Sequence, residues 1–256
     1  IPVTSKPVFC TKQVEQKTHF VLRFLPSYPA EYQIHPKEIM VFWDASASSA
    51  NRDVNREINF LKQFISYHHI SKLTIIPFNY KLLDTAVFYA ENNFKIRWQR
   101  YLQSISYDGS TQLGIIDLAG HNADIFLLFT DGNNTYGKSK PNMGTAPVHC
   151  VYTSNTANVT SLRQITGASG GKLIDLNKTS LSMALSVSSK SENWLINITS
   201  ASGKTITEQS LPLKQGGPLF INGTMEGLSD TLYFHYGTNA RQNQVEKIII
   251  DASKEC

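Results

Sequence analysis

Five oxygen-bearing side chains stand where they could hold a hard cation. The stretch KEIMVFWDASASS, Lys37 to Ser49, runs an apolar segment straight into Asp44, with Ser46 and Ser48 following at alternate positions. Farther on, YDGSTQLG carries Thr111 in a glycine-containing turn, and ADIFLLFTDG ends a second apolar segment on Asp131. Taken alone, Asp and Ser after a strand are most simply a turn in which their side chains satisfy exposed backbone N–H groups. Two carboxylates brought together, however, repel unless one is protonated or a cation bridges them. A donor set of oxygens alone, without His or Cys, selects Mg²⁺, with Mn²⁺ or Ca²⁺ as alternatives, over zinc or copper. Hydroxyls bound directly and aspartates acting through water would leave one place in the octahedral Mg²⁺ shell for an incoming carboxylate.

Such a site exists only if the two apolar segments are neighbouring strands whose carboxyl ends lie at one sheet edge, where ligands of α/β sheets bind. The pattern from Glu38 onward supplies the elements. EIMVFWD, KLTIIPFN, DTAVFYA, ADIFLLFTDG, PVHCVYT and GKLIDL are short apolar runs of buried-strand type. Between them, Val54, Ile58, Leu61 and Ile65 recur at helical spacing, residues 93 to 105 repeat the pattern, and NVTSLRQITG is a third helical stretch. TQLGIIDLAGH starts a further helix or turn. Strands alternating with helices predict an α/β domain over 37–187 with a parallel sheet covered on both faces.

Beyond about residue 188 the helical signal stops. NWLINIT, TITEQSL, PLFINGTM, DTLYFHYG and VEKIIIDA are strand-like pieces between Gly, Ser and Asn, which predicts an antiparallel β segment over 188–256. Residues 1–36 form an N-terminal β segment with a strand in THFVLRFLP, and that strand is a candidate to join the C-terminal ones.

Composition narrows the partners. The chain has 256 residues and a net charge of +4, with basic residues scattered and no Lys/Arg block, so no nucleic-acid partner is expected. No apolar run reaches the ~18 residues of a membrane span, so a membrane would be met only through a segment outside this chain. The first residue is Ile1, with no charged-then-apolar leader, and the chain is read as a processed or excised piece. Cys10, Cys150 and Cys256 are spaced too widely for a disulfide framework or a zinc motif. Asn133, Asn158, Asn177, Asn197 and Asn222 begin N-x-S/T triplets, which a chain rich in Asn, Ser and Thr produces by chance.

The combination D-x-S-x-S (Asp44, Ser46, Ser48), a Thr in a Gly turn (Thr111) and T-D-G (Asp131) resembles the metal-ion-dependent adhesion site of von Willebrand factor A (vWA) domains. The resemblance covers about residues 38 to 187. It implies a doubly wound, mostly parallel Rossmann-like sheet with a small antiparallel β unit added. It also implies direct coordination by Ser46 and Ser48, coordination by Thr111 directly or through water, and Asp44 and Asp131 acting mainly through water. Ala47 stands where many members have Gly, and DGST replaces a Gly-Gly-Thr turn; both departures are mild. The wider layout resembles proteins that join a vault/inter-alpha-trypsin (VIT) domain to a vWA domain. These include the inter-alpha-trypsin inhibitor heavy chains and bacterial membrane-tethered relatives, and residues 1–36 would then be the tail of a VIT-like domain.

The function implied is a metal-dependent binding or adhesion module outside the cytoplasm, secreted or tethered in the cell envelope, whose protein partner presents Asp or Glu. Asn133, Asn134, Tyr136, Lys138 and Lys140, in the polar loop after Asp131, are the candidate partner-binding residues. A scaffold domain stabilised by its metal is the alternative. A metal-assisted hydrolase ranks last because no general base accompanies the ligands. Other motifs have plainer readings. His68 and His69 read as surface or helix-end residues, GASGGK as a helix-to-strand turn, and Asp108 as a turn former beside Thr111. The tryptophans, Trp43, Trp98 and Trp194, read as core.

Overall fold

The computed structural model describes residues 6–91, 94–214, 216–238 and 241–253. Cys256 lies outside them, as does Ile1. In chain order come β1 (Val8–Val14), β2 (Lys17–Phe24), β3 (Glu31–Gln33), β4 (Glu38–Asp44), α1 (Val54–His68), β5 (Lys72–Phe78), β6 (Ala86–Tyr89) and α2 (Phe94–Gln103). They are followed by β7 (Ile125–Phe129), β8 (Val148–Tyr152), α3 (Val159–Ser169), β9 (Leu173–Asp175) and α4 (Leu181–Ser188). The last stretch is all strand: β10 (Lys190–Glu192), β11 (Trp194–Ser200), β12 (Ile206–Thr207), β13 (Leu213–Lys214), β14 (Leu219–Glu226), β15 (Ser229–Thr238) and β16 (Arg241–Asp251). The chain divides into two compact units, Gln33–Ser191 and the flanking Ile1–Tyr32 with Glu192–Cys256.

The central unit is α/β. Its six-stranded sheet has the order β6-β5-β4-β7-β8-β9, with β4 parallel to both β5 and β7. The apolar run in β4 is continuous because both faces of the strand are covered. Ile39, Val41 and Trp43 belong to one buried cluster with Ile58, Leu61 and Phe64 of α1, Trp98 of α2 and Ala184 of α4. Met40 and Phe42 belong to a second cluster with Leu162 and Ile165 of α3. α1 starts at Asp53, whose side chain accepts the Arg56 N–H, and stops where His69 turns left-handed at φ 54°. β6 runs antiparallel to β5, because the 79–85 connection is too short for the helical crossover that a parallel pair needs. The segment after Thr111 forms only a short 3₁₀ turn, Leu113–Ile115.

The flanking unit is antiparallel β. One sheet has the order β1-β2-β14-β12 and the other β13-β11-β15-β16. In β14 buried and solvent-facing residues alternate, and the inward set Leu219, Ile221 and Met225 shares a core with Phe20, Leu22, Phe24, Leu232, Phe234 and Ile250. Among the described residues no helix is long and apolar enough to cross a membrane.

Candidate metal centre

Asp44 ends β4, and β7 lies beside it, so Thr130 and Asp131 leave the sheet next to Asp44. The chain goes from β4 to β5 on one side and reaches β7 on the other, which opens a crevice at the carboxyl edge. The Asp44 side chain is fully buried. Its Oδ1 accepts the Ser46 N–H at 2.9 Å and its Oδ2 accepts the Thr130 hydroxyl at 2.5 Å. The Ser46 hydroxyl lies 3.2 Å from that of Ser48 and 3.3 Å from that of Ser49, so three hydroxyls crowd one turn.

The Thr111 turn is laced to this one. Asp108 N–H donates to the Ala45 carbonyl at 2.9 Å, and Ala47 N–H donates to the Gly109 carbonyl at 3.0 Å. Gly109 holds φ +76°, and a Cβ there would lie 2.9 Å from the Tyr80 ring, so the turn needs glycine on both counts. Asn79 clamps the far side, donating from Nδ2 to Asp108 O at 2.9 Å and accepting Gln112 N–H at 3.0 Å. The third loop closes the ring. Thr135 and Tyr136 N–H groups both donate to Thr111 O, Thr111 N–H donates to the Thr135 hydroxyl at 2.9 Å, and Asp131 Oδ1 accepts Asn133 N–H at 2.9 Å. Asp44, Ser46, Ser48, Thr111 and Asp131 are therefore brought together by three interlocked loops.

One atom in this ring has nothing to bond. Thr111 Oγ1 is buried and has no hydrogen-bond partner. A buried unpaired hydroxyl costs about 1–3 kcal/mol, so it is retained where something else uses its lone pairs. A divalent cation held by Ser46, Ser48 and Thr111 hydroxyls, with Asp44 and Asp131 nearby, would use them. Among the described residues no group of three or more His, Cys, Asp and Glu side chains gathers in one place. Two carboxylates with hydroxyls form a hard-ion donor set, and the residues present fit Mg²⁺.

The loop after Asp131 divides by role. Asn133 Nδ2 donates to Thr156 O at 3.0 Å, while Asn134 Oδ1 accepts Leu113 N–H at 2.8 Å and its Nδ2 donates to Tyr136 O. Both amides are spent on holding the loop. Tyr136, 59% exposed, and the exposed Lys138 and Lys140 are its outward groups. On the other side of the Thr111 turn, Tyr80 is 46% exposed, with the Lys81 ammonium 5.7 Å from its ring centroid. Sequence reasoning passed over this second wall, although its place directly after β5, at the same sheet edge, was a signal for it. It also passed over Thr130, which orients Asp44, and Ser49.

Asp108 is exposed and accepts Gly109 N–H at 2.7 Å, capping its own turn. GASGGK spans the end of α3, where Gly170 is left-handed, and leads to β9. His69 is exposed at the helix end, but His68 is not a surface residue. Its Nε2 lies 3.1 Å from Ser189 Oγ, and burial pushes the imidazole down to about 4. The helical position that looked solvent-facing is covered by the residues that follow α4.

No protein-family model matches the chain, and no curated protein matches it. Solved structures are similar at low identity. VWA2, a paralog of ArnB from Sulfolobus acidocaldarius, is 10% identical with a TM-score of 0.43, over 96% of this chain and 74% of that one. An aerotolerance-related membrane protein from Bacteroides fragilis is 17% identical with a TM-score of 0.45, over 59% of this chain and 96% of that one. BatB from Bacteroides thetaiotaomicron is 15% identical with a TM-score of 0.42, over 59% and 95%.

Proposed function

We propose that residues 33–191 are a vWA-like protein-binding module acting outside the cytoplasm. In this reading Asp44, Ser46, Ser48, Thr111 and Asp131 hold one Mg²⁺, and a Glu or Asp of a partner protein completes its shell. The observation that carries the reading is the buried, unpartnered Thr111 hydroxyl at the meeting point of the three loops. When bound, the cation supplies a Lewis-acid contact for a carboxylate oxygen.

The chain's own residues do the rest. Thr130 and the Ser46 N–H fix the Asp44 carboxylate, and Asn133 N–H fixes that of Asp131, so neither has to be ordered when a ligand arrives. Tyr136 offers a rigid amphipathic contact, and Lys138 and Lys140 draw an acidic surface toward the site.

Isothermal titration of Mg²⁺ and Mn²⁺ into chelator-stripped protein, repeated with Asp44→Ala, tests the reading. Saturable one-site binding that the variant loses while staying folded is the expected result. No binding at millimolar metal would overturn it and leave the scaffold role.

A further inference from the structure

Behind the D-x-S-x-S turn lies an ion pair with no access to solvent. The side chains of Arg52 and Glu57 are both 0% exposed, with Arg52 Nη1 and Glu57 Oε2 3.2 Å apart. The guanidinium donates from Nη2 to the Asp44 carbonyl at 2.7 Å, and its Nε reaches the Ser49 carbonyl at 3.5 Å. Its central carbon sits 5.2 Å from the Trp43 ring centroid. One planar fork thus touches the carbonyls at both ends of the turn that carries Ser46 and Ser48. Glu57 Oε1 accepts the Thr153 hydroxyl at 2.8 Å, and the Thr153 oxygen accepts Asp53 N–H at 2.8 Å. The clamp is thereby fastened to the first turn of α1 and to the end of β8. Burial pushes the Glu57 carboxyl above its ordinary range, while the Arg52 guanidinium and the Thr153 hydroxyl pull it back.

A buried ion pair is weak evidence for stability, because apolar residues of similar volume hold a core as well or better. Its placement points elsewhere. Serine and threonine hydroxyls are weak metal ligands and cannot impose their own geometry, so the backbone must hold them in advance. We propose that Arg52, held by Glu57, is a positioning residue that fixes the 44–49 turn in its metal-binding shape by clamping the carbonyls of Asp44 and Ser49. This rests on the metal-site reading above.

The test uses the full chain and Mn²⁺ as probe, with free Mn²⁺ followed by electron paramagnetic resonance and thermal unfolding recorded in chelator. The double variant Arg52→Met/Glu57→Leu removes the clamp and leaves neither member of the pair as an unpaired buried charge. It should unfold near the native midpoint in chelator yet bind Mn²⁺ at least tenfold more weakly, a split that a merely structural role would not produce. Arg52→Lys keeps the charge for Glu57 but puts a single ammonium where the fork spans two carbonyls, and should weaken binding several-fold. Native-like affinity in either folded variant overturns the proposal, and so does failure of both to fold. If the native chain itself takes up no Mn²⁺, the metal-site reading falls first, and this result is distinct from the variant outcomes.

Discussion

Replacing Thr111 with valine should make the metal-free protein more stable and the metal-bound protein less so. Valine has the same branching and nearly the same volume, so the buried site needs little repacking, and only the hydroxyl is lost. In the native chain that hydroxyl is buried without a partner. Its desolvation penalty is about 1–3 kcal/mol, and recovering the lower part of it gives a gain of about 1 kcal/mol in chelator. For a chain of this size that is an upward shift of about 2–4 °C in the melting midpoint. Mg²⁺ at a hundredfold excess over its dissociation constant stabilises the native site by about 2.7 kcal/mol. With one donor removed, Thr111→Val should gain at least 1.4 kcal/mol less, the equivalent of about tenfold in affinity. The order of the two proteins therefore inverts between EDTA and saturating Mg²⁺. Calorimetric melts of both in each buffer, with Mg²⁺ titrations, read this directly. A variant that is clearly less stable in EDTA would mean the hydroxyl has a protein partner. Equal Mg²⁺ stabilisation would mean Thr111 is no donor.

Acid should destabilise the fold through two imidazoles. Burial pushes His68 and His149 each down to about 4 from 6.5, so between those values the unfolded chain binds more protons and stability falls as pH falls. The slope reaches about 1.4 kcal/mol per pH unit for each proton, measurable by urea unfolding between pH 4 and 7, and His149→Gln should flatten its share. Gly109→Ala should cost about 1–2 kcal/mol, because the left-handed φ of +76° disfavours a side chain, and should weaken Mn²⁺ binding by moving the Thr111 turn. Lys138→Ser/Lys140→Ser should slow the association of a fluorescent Glu-rich peptide in Mg²⁺ and flatten its salt dependence, without changing the Mn²⁺ titration. An unchanged rate would remove these lysines from the partner face.

The strands that were legible in sequence are those whose burial is two-sided. β4, β5, β7 and β8 read as largely apolar runs, interrupted by Thr74 in β5 and His149 in β8, because a helix-covered sheet leaves no solvent-facing side. β1 was not read, since every residue of Val8–Val14 is exposed or half-exposed and VFCTKQV shows no apolar/polar alternation in sequence. α4, LSMALSVS, was missed because its serines suggest a loop, and it is held by the Ser180 cap and by Ala184 in the core instead of by a polar face. The antiparallel direction of β6 was unreadable from its own residues, because connection length decides it. At the site, Asp44, Ser46, Ser48, Thr111 and Asp131 could be picked out because each ends a strand or sits in a turn beside one. Arg52 and Glu57 could not. RDVNRE at the start of a helix looks like a solvated first turn, and only the packing of α1 against β4 and β8 takes both charges out of water.

That contrast bears on how this kind of site is built. The residues proposed to hold the ion are short Asp, Ser and Thr side chains, whose oxygens lie only two or three bonds from Cα, so their positions are set largely by main-chain geometry. Here that geometry is fixed by backbone bonds between loops, Ala47 to Gly109, Asp108 to Ala45 and Thr135 to Thr111, by the Asn79 amide, and by one long side chain acting from behind, Arg52. The short residues form a recognisable local motif, because their spacing is what a turn imposes. Arg52 and Asn79 are placed by the tertiary fold and leave no spacing signature. A substitution in the motif should therefore remove binding and spare the fold. A substitution behind it should leave every proposed ligand in the sequence and still weaken the site, because the turn would no longer present its hydroxyls at one point.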